Sequence, residues 1–153
     1  MNIFHDHFKT PLGLMEITAN DQAVLSIYFV DQIKSVNANS LTDLAKAQMQ
    51  KYYAAELEKF DMPMEPVGTE FQKSVWQALT TVDYGKTCSY ADIANKINNP
   101  KAVRAVGSAN GKNPMTIVVP CHRIIGSNGS LTGYASGVDR KAWLLNHETP
   151  SLF

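Results

Sequence analysis

Over positions 3–8 and 12–30 the apolar residues come in short, partly alternating runs, and the stretch from Ala23 to Val30 is rich in Val, Ile, Tyr and Phe. Alternation with period two and β-branched or aromatic enrichment predict strands. Pro11 and Gly13 break the first strand from the second, and Asn20-Asp21-Gln22 supplies the next turn. Over positions 40–60 the spacing changes. Leu41, Leu44, Ala45, Tyr52, Ala55 and Phe60 approximate one apolar stripe of a helix, with Ser40 as its N-cap. Asp61-Met62-Pro63-Met64-Glu65-Pro66 then reads as an extended linker, which predicts a division into domains 1–66 and 67–153.

Beyond the linker the pattern is mostly helical. Thr69 and Gln72 have the spacing of a capping box, and Phe71, Val75, Trp76 and Leu79 mark the apolar face of a helix ending near Val82. Asp83-Tyr84-Gly85-Lys86 is a turn. Ser89 with Asp92 reads as a second cap, opening a helix to about Ile97. Asn99 and Pro100 read as the cap and first turn of another helix, which carries Ala102, Val103, Ala105 and Val106 and stops between Gly107 and Gly111. Two short helices across a tight turn suggest a helix-turn-helix; an ordinary helical hairpin with a solvated Arg104 has the same pattern. Ala102, Ala105, Gly107, Ser108 and Ala109 are small enough to let the second helix approach a surface closely. Ile117-Val118-Val119 predicts a short buried strand ended by Pro120. Positions 124–131 read as a hairpin around Asn128-Gly129, placed to serve as a wing. Thr132-Gly133-Tyr134 is a loop, and a last helix over about 138–147 packs Trp143, Leu144 and Leu145. The fold class expected is α/β (α+β): a small N-terminal α/β domain, then a mostly helical, winged helix-turn-helix-like domain.

Composition narrows the class. The chain has 153 residues, 44% hydrophobic and 18% charged, as in a soluble globular protein. No apolar run approaches the roughly 20 residues of a membrane span. No basic segment followed by an apolar one opens the chain, so no secretory signal is expected, and Cys88 and Cys121 are expected as free thiols in the cytoplasm. His5 and His7 share one face of a strand, but without an evident third ligand they read as surface histidines, not a metal site. Charge is zero overall yet uneven. Residues 1–66 hold five Lys against nine acids, a net −4, and residues 67–153 hold nine Lys and Arg against five acids, a net +4. A basic half suits a polyanionic partner, though only modestly at this magnitude.

The candidate chemistry sits at Pro120-Cys121-His122-Arg123. A thiol beside an imidazole and a guanidinium at a chain reversal is an environment that favours thiolate. Successive side chains on a regular strand alternate, so a turn or helix start must bring His122 round to Cys121, or a water must bridge them. A carboxylate must fix the imidazole tautomer, and Glu148, at the end of the last helix, is the candidate.

Taken together, several segments closely resemble the O6-alkylguanine-DNA alkyltransferase family (methylated-DNA–protein-cysteine methyltransferases). They are Asn113-Pro114, the run from Ile117 to Gly126 around Cys121, Gly133-Tyr134, and Trp143-Leu144-Leu145-Asn146-His147-Glu148. Thr69-Glu70-Phe71-Gln72 with Val75-Trp76, Ser89-Tyr90 with Ile93-Ala94, and Asn99-Pro100-Lys101-Ala102-Val103-Arg104-Ala105-Val106-Gly107 add to it. The resemblance covers about residues 67–148; the N-terminal third matches only in size, composition and expected fold.

The resemblance implies that Cys121 accepts an alkyl group from O6-alkylguanine, with O4-alkylthymine a further candidate lesion. It implies that His122 takes the thiol proton through a water, that Glu148 orients His122, and that Asn113 braces the active-site turn. Tyr90 is the phenol assisting departure of the guanine. Arg104 fills the gap left by the flipped base, in a DNA-contacting set with Ala102, Ala105, Gly107, Ser108 and Arg123. Tyr134, Ala135, Ser136, Val119 and Pro120 wall the base pocket, Ala135-Ser136 standing where many relatives have Ser-Gly. No cofactor is implied. The family's zinc-binding members use N-terminal cysteines, and none precedes Cys88 here, so no metal is expected. The implied partner is double-stranded DNA carrying alkylated bases, held through the minor groove with little sequence preference by a monomer. Two rivals lack chemistry, a lesion-binding protein and a winged-helix regulator. A third is a cysteine hydrolase that would need an oxyanion hole and would turn over.

Overall fold

The computed structural model describes residues 2–131 and 133–150; Thr132 of the loop named above and the last three positions of domain 67–153 lie outside them. The chain divides into two compact units after Val67.

The first unit is a three-stranded antiparallel sheet, β1 (Phe4–Thr10), β2 (Gly13–Ala19) and β3 (Val24–Phe29) in that order, with helix α1 (Ser40–Tyr53) on it. The expected alternation is plain in β2, where Met15, Ile17 and Ala19 are buried. With Phe8, Val24 and Ile27 they meet Ala45, Met49 and Tyr52 of α1 in the core; each large side chain so buried contributes about 1.5–3 kcal/mol. The helix cap is Asn39, not Ser40: its side chain accepts from the Leu41 and Thr42 amides while Thr42 Oγ1 accepts from the Asn39 amide. The helix stops at Tyr53, short of position 60, because Ala55 turns left-handed at φ 60° and its amide bonds back to Tyr52. The linker is extended, as its prolines require, and bonds through Pro63 and Glu65 to Val24. His7 is buried, contrary to its reading as a surface residue, because it faces its register partner Glu16 at 2.8 Å. Tyr28 donates to the same carboxylate, which pushes its phenol up to about 12.

The second unit holds α2 (Glu70–Leu79), β4 (Cys88–Ser89), α3 (Tyr90–Lys96), α4 (Val103–Gly111), a 3-10 turn (Cys121–Arg123), β5 (Ile124–Ile125) and α5 (Val138–Glu148). Both expected capping boxes form. Thr69 and Gln72 close the start of α2, and Ser89 and Asp92 the start of α3. Helices α2, α3 and α4 pack together, and the Trp76 indole donates to the Ala109 carbonyl at 2.9 Å. Gly68 is required there, since a Cβ would stand 2.4 Å from the Trp76 ring.

Three expectations fail in this unit. Asn99 and Pro100 do not start α4: they form a turn, the Ala102 amide bonding to the Asn99 carbonyl, and the helix begins after Ala102 with no side-chain cap. Ile117-Val118-Val119 is buried but is a turn, with Ile117 at φ 75°. The expected hairpin after Cys121 has no second strand among the described residues; Ile124–Ile125 pairs in parallel with Cys88–Ser89 instead, and Asn128 closes a loop from Gly126 to Ser130.

Candidate active site

The reason for the failed strand is the side-chain amide of Asn113. Its Oδ1 accepts from the Met115 amide at 2.9 Å, and its Nδ2 donates to the carbonyls of Val119 at 2.8 Å and Met115 at 3.3 Å. The Val119 amide donates to the Met115 carbonyl at 2.9 Å. A β-branched residue in the left-handed region costs about 1–3 kcal/mol, and this bracing holds Ile117 there. Pro120, at φ −81° and ψ 64°, sits at the centre of an inverse γ-turn, with the Cys121 amide donating to the Val119 carbonyl at 2.8 Å. The chain thus enters the 3-10 turn with Cys121 at its first position.

Behind Cys121 lies a buried ion cluster. His122 Nε2 stands 2.7 Å from Glu148 Oε2, with side chains 0% and 1% exposed. Arg123 donates through Nε to Oε1 at 2.8 Å and through Nη2 to Oε2 at 3.0 Å of the same carboxylate, and through Nη1 to the Val82 carbonyl at 2.7 Å. Its guanidinium also lies 5.7 Å from the centre of the Tyr84 ring. Arg123 was expected at DNA; burial and this bidentate pairing commit it to holding Glu148.

Burial alone would raise the Glu148 carboxyl, but the hydrogen bonds and charges of His122 and Arg123 outweigh it and hold it far below the usual carboxylate range. Glu148 is therefore ionised and acts only as an acceptor, so the neutral imidazole carries its proton on Nε2 and its lone pair on Nδ1. That Nδ1 is buried with no protein hydrogen-bond partner among the described residues. Burial also lowers the His122 pKa, which keeps the ring a neutral base at physiological pH.

The thiol differs from the expectation. Burial raises the Cys121 pKa, and the polar side chains of Asn113 and Tyr134, with the charge of Lys141, only partly oppose this. The resting group is the thiol, and a base has to remove its proton. Lys141 was missed in the sequence. It is fully buried on α5, its own pKa lowered by burial. The signal was present, since 141, 144, 145 and 148 follow the i, i+3, i+4, i+7 spacing of one helix face, and all four are buried.

The remaining candidates divide by exposure. Val119, Pro120 and Tyr134 are buried, Ser136 is half-buried and Ala135 exposed. On α4, Arg104, Ala105 and Ser108 are exposed, while Ala102 and Gly107 are half-buried at its edge; Ala109, expected on the same face, is buried against the Trp76 indole instead. Tyr90, half-buried at the start of α3, lies against Gly107 and Gly133. No group of three metal-ligating side chains occurs among the described residues, and no helix among them is long and apolar enough to cross a membrane.

The cluster predicts an acid dependence of stability. His122 binds a proton less well folded than unfolded, so stability is lost as pH falls below its ordinary 6.5. Glu148 binds its proton far less well when folded, so a second loss begins below its ordinary 4.5. Thermal midpoints across pH 8 to 4 are expected to fall in both windows, and His122→Asn should flatten the first. A midpoint that holds level down to pH 4.5 contradicts this account.

Residues 70–150, just over half of the chain, match the family model of the 6-O-methylguanine DNA methyltransferase DNA-binding domain. The methylated-DNA–protein-cysteine methyltransferase of Methanosarcina acetivorans is 43% identical over 153 residues, spanning 95% of this chain and 98% of that protein. The constitutive Bacillus subtilis protein of that name is 42% identical, spanning 92% of each. The crystal structure of Mycobacterium tuberculosis OGT in complex with DNA superposes with a TM-score of 0.88 at 39% identity, over 95% of this chain and 92% of that one. On this site geometry, these identities and this coverage, the chain belongs to the methylated-DNA–protein-cysteine methyltransferase family.

Proposed function

We propose that this protein repairs O6-alkylguanine in double-stranded DNA by moving the alkyl group to its own Cys121, once per molecule. The observation that carries this reading is the buried chain from Glu148 to His122 set beside the thiol. Neighbours on a 3-10 turn point about 120° apart, so the imidazole does not share the thiol's direction; in this reading His122 Nδ1, buried without a protein hydrogen-bond partner among the described residues, takes the thiol proton through one bridging water. The sulfur attacks the saturated carbon on O6; the S–C bond forms as the C–O bond breaks. Electrons flow to the guanine ring, and Tyr90 donates a hydrogen bond or proton there. The proton lost by the thiol balances the one gained by guanine, and no cofactor enters the equation. Water cannot displace the thioether, so the thiol is not restored.

The small-residue edge of α4 enters the minor groove, where Ala and Gly offer few donors for reading sequence. The nucleotide is extruded at a cost of a few kcal/mol, and Arg104 occupies the space it leaves in the stack. The two free cysteines, Cys88 and Cys121, suit a reducing cytoplasm.

With substrate DNA in tenfold excess over protein, methyl removal should stop at one per molecule. Continued turnover would favour the hydrolase reading. Arg104→Ala is expected to slow transfer from duplex DNA at least tenfold more than transfer from free O6-benzylguanine, since only the first needs a filled stack. Equal losses in single-turnover rates on both would remove Arg104 from base flipping.

A further inference from the structure

Tyr90 and Gly133 lie far apart in sequence but meet in the fold. A Cβ built on Gly133 would stand 2.7 Å from the Tyr90 phenolic oxygen and 3.8 Å from its Cζ. The hydroxyl therefore occupies the space that a side chain at 133 would fill. The far edge of the ring rests on Gly107, where a Cβ would lie 3.6 Å from Cε1 and 3.7 Å from Cδ1, an ordinary packing distance. Of the two glycines, only Gly133 owes its identity to Tyr90. Gly133 also has φ +72°, in the region glycine enters freely. Its successor is Tyr134, whose side chain is buried. The loop 133–134 thus seats one phenol with its α-carbon and buries the next.

We infer that Gly133 is a positioning residue for the transfer reaction: its missing side chain is the seat that places the Tyr90 hydroxyl. This rests on the role given to Tyr90 above. The conflict created by a Cβ is with the outer end of a side chain, which can swing away without unravelling the fold. A substitution therefore moves the hydroxyl at small structural cost, and a displacement of about 1 Å in a reacting group costs on the order of 100-fold in rate.

The test is a double-mutant cycle in the full-length protein, read as single-turnover transfer from O6-methylguanine duplex DNA. Gly133→Ala is expected to slow transfer at least tenfold. Tyr90→Phe removes the atom in conflict, so adding Gly133→Ala to it should change the rate less than twofold. Gly133→Asn keeps access to positive φ while introducing the Cβ, and should behave like Gly133→Ala if backbone strain is not the cause. Equal losses in the wild-type and Tyr90→Phe backgrounds would assign Gly133 to its backbone angle alone and overturn the inference. So would an unchanged rate in Gly133→Ala. The NMR resonance of Tyr90 Cζ reads placement without reference to rate: it should shift in Gly133→Asn, and an unshifted line overturns the inference even if Gly133→Ala fails to fold. A Tyr90→Phe rate equal to wild type, with that resonance shifted, would instead sink the donor role of Tyr90: Gly133 would still seat the hydroxyl, but its positioning role in the transfer would fall with that donor role.

Discussion

Cys121→Ser is expected to give a folded protein that still holds methylated duplex DNA and transfers no methyl group. The side chain lost is small and its replacement nearly isosteric, so the braced loop from Asn113 to Pro120 has no reason to open. The chemistry is lost because a buried hydroxyl is far harder to ionise than a thiol, and burial already raises the Cys121 thiol itself. Removing the nucleophile of such a relay costs on the order of 10⁴-fold or more. Cys88→Ser should transfer normally: burial and Asp92 push that thiol up to about 11, so it is no competing nucleophile. Single-turnover assays with a parallel DNA-binding titration check both variants. Loss of DNA binding in Cys121→Ser would mean the residue supports the fold and not the reaction.

Glu148→Ala is expected to damage both stability and rate. It leaves the Arg123 guanidinium, 7% exposed, without its carboxylate. Stranding one partner of a buried pair costs roughly 3–5 kcal/mol, which for a chain of this size lowers the thermal midpoint by about 6–20 °C. It also frees the His122 tautomer, since nothing then holds the proton on Nε2. Losing that orientation in a comparable relay costs about 10⁴-fold. Glu148→Gln should fold better than Glu148→Ala because Gln keeps one acceptor, and should still transfer slowly. The experiment is a melt and a single-turnover rate on each variant; a wild-type rate in Glu148→Gln would remove Glu148 from the relay.

What was legible in the sequence were features set by neighbours in the chain. Thr69 with Gln72 and Ser89 with Asp92 cap their helices through atoms three residues apart, so spacing alone reveals them. The alternation of Met15, Ile17 and Ala19 shows because one face of β2 meets a core. What failed was decided at a distance. The Ile117-Val118-Val119 run has strand composition, yet the Asn113 amide takes the Val119 carbonyl and bends the run into a turn. At the start of α1, adjacent Asn39 and Ser40 are both good caps, and tertiary context chose Asn39, whose Nδ2 also donates to the Asn20 carbonyl. Arg123 was placed among the DNA contacts by the resemblance alone; its partners, Glu148 and the Val82 carbonyl, lie 25 and 41 residues away. Lys141 stayed hidden because a lysine on an apolar stripe is normally dismissed as a break in the pattern.

The central claim is that the alkyl group ends on Cys121 and stays there. Intact mass spectrometry after incubation with O6-methylguanine duplex DNA, followed by peptide mapping, tests it most directly. The expected result is a gain of one methyl group per protein molecule, found wholly on the peptide bearing Cys121, with guanine restored in the DNA. An unchanged protein mass with restored DNA, or a methyl group on Cys88, would contradict it.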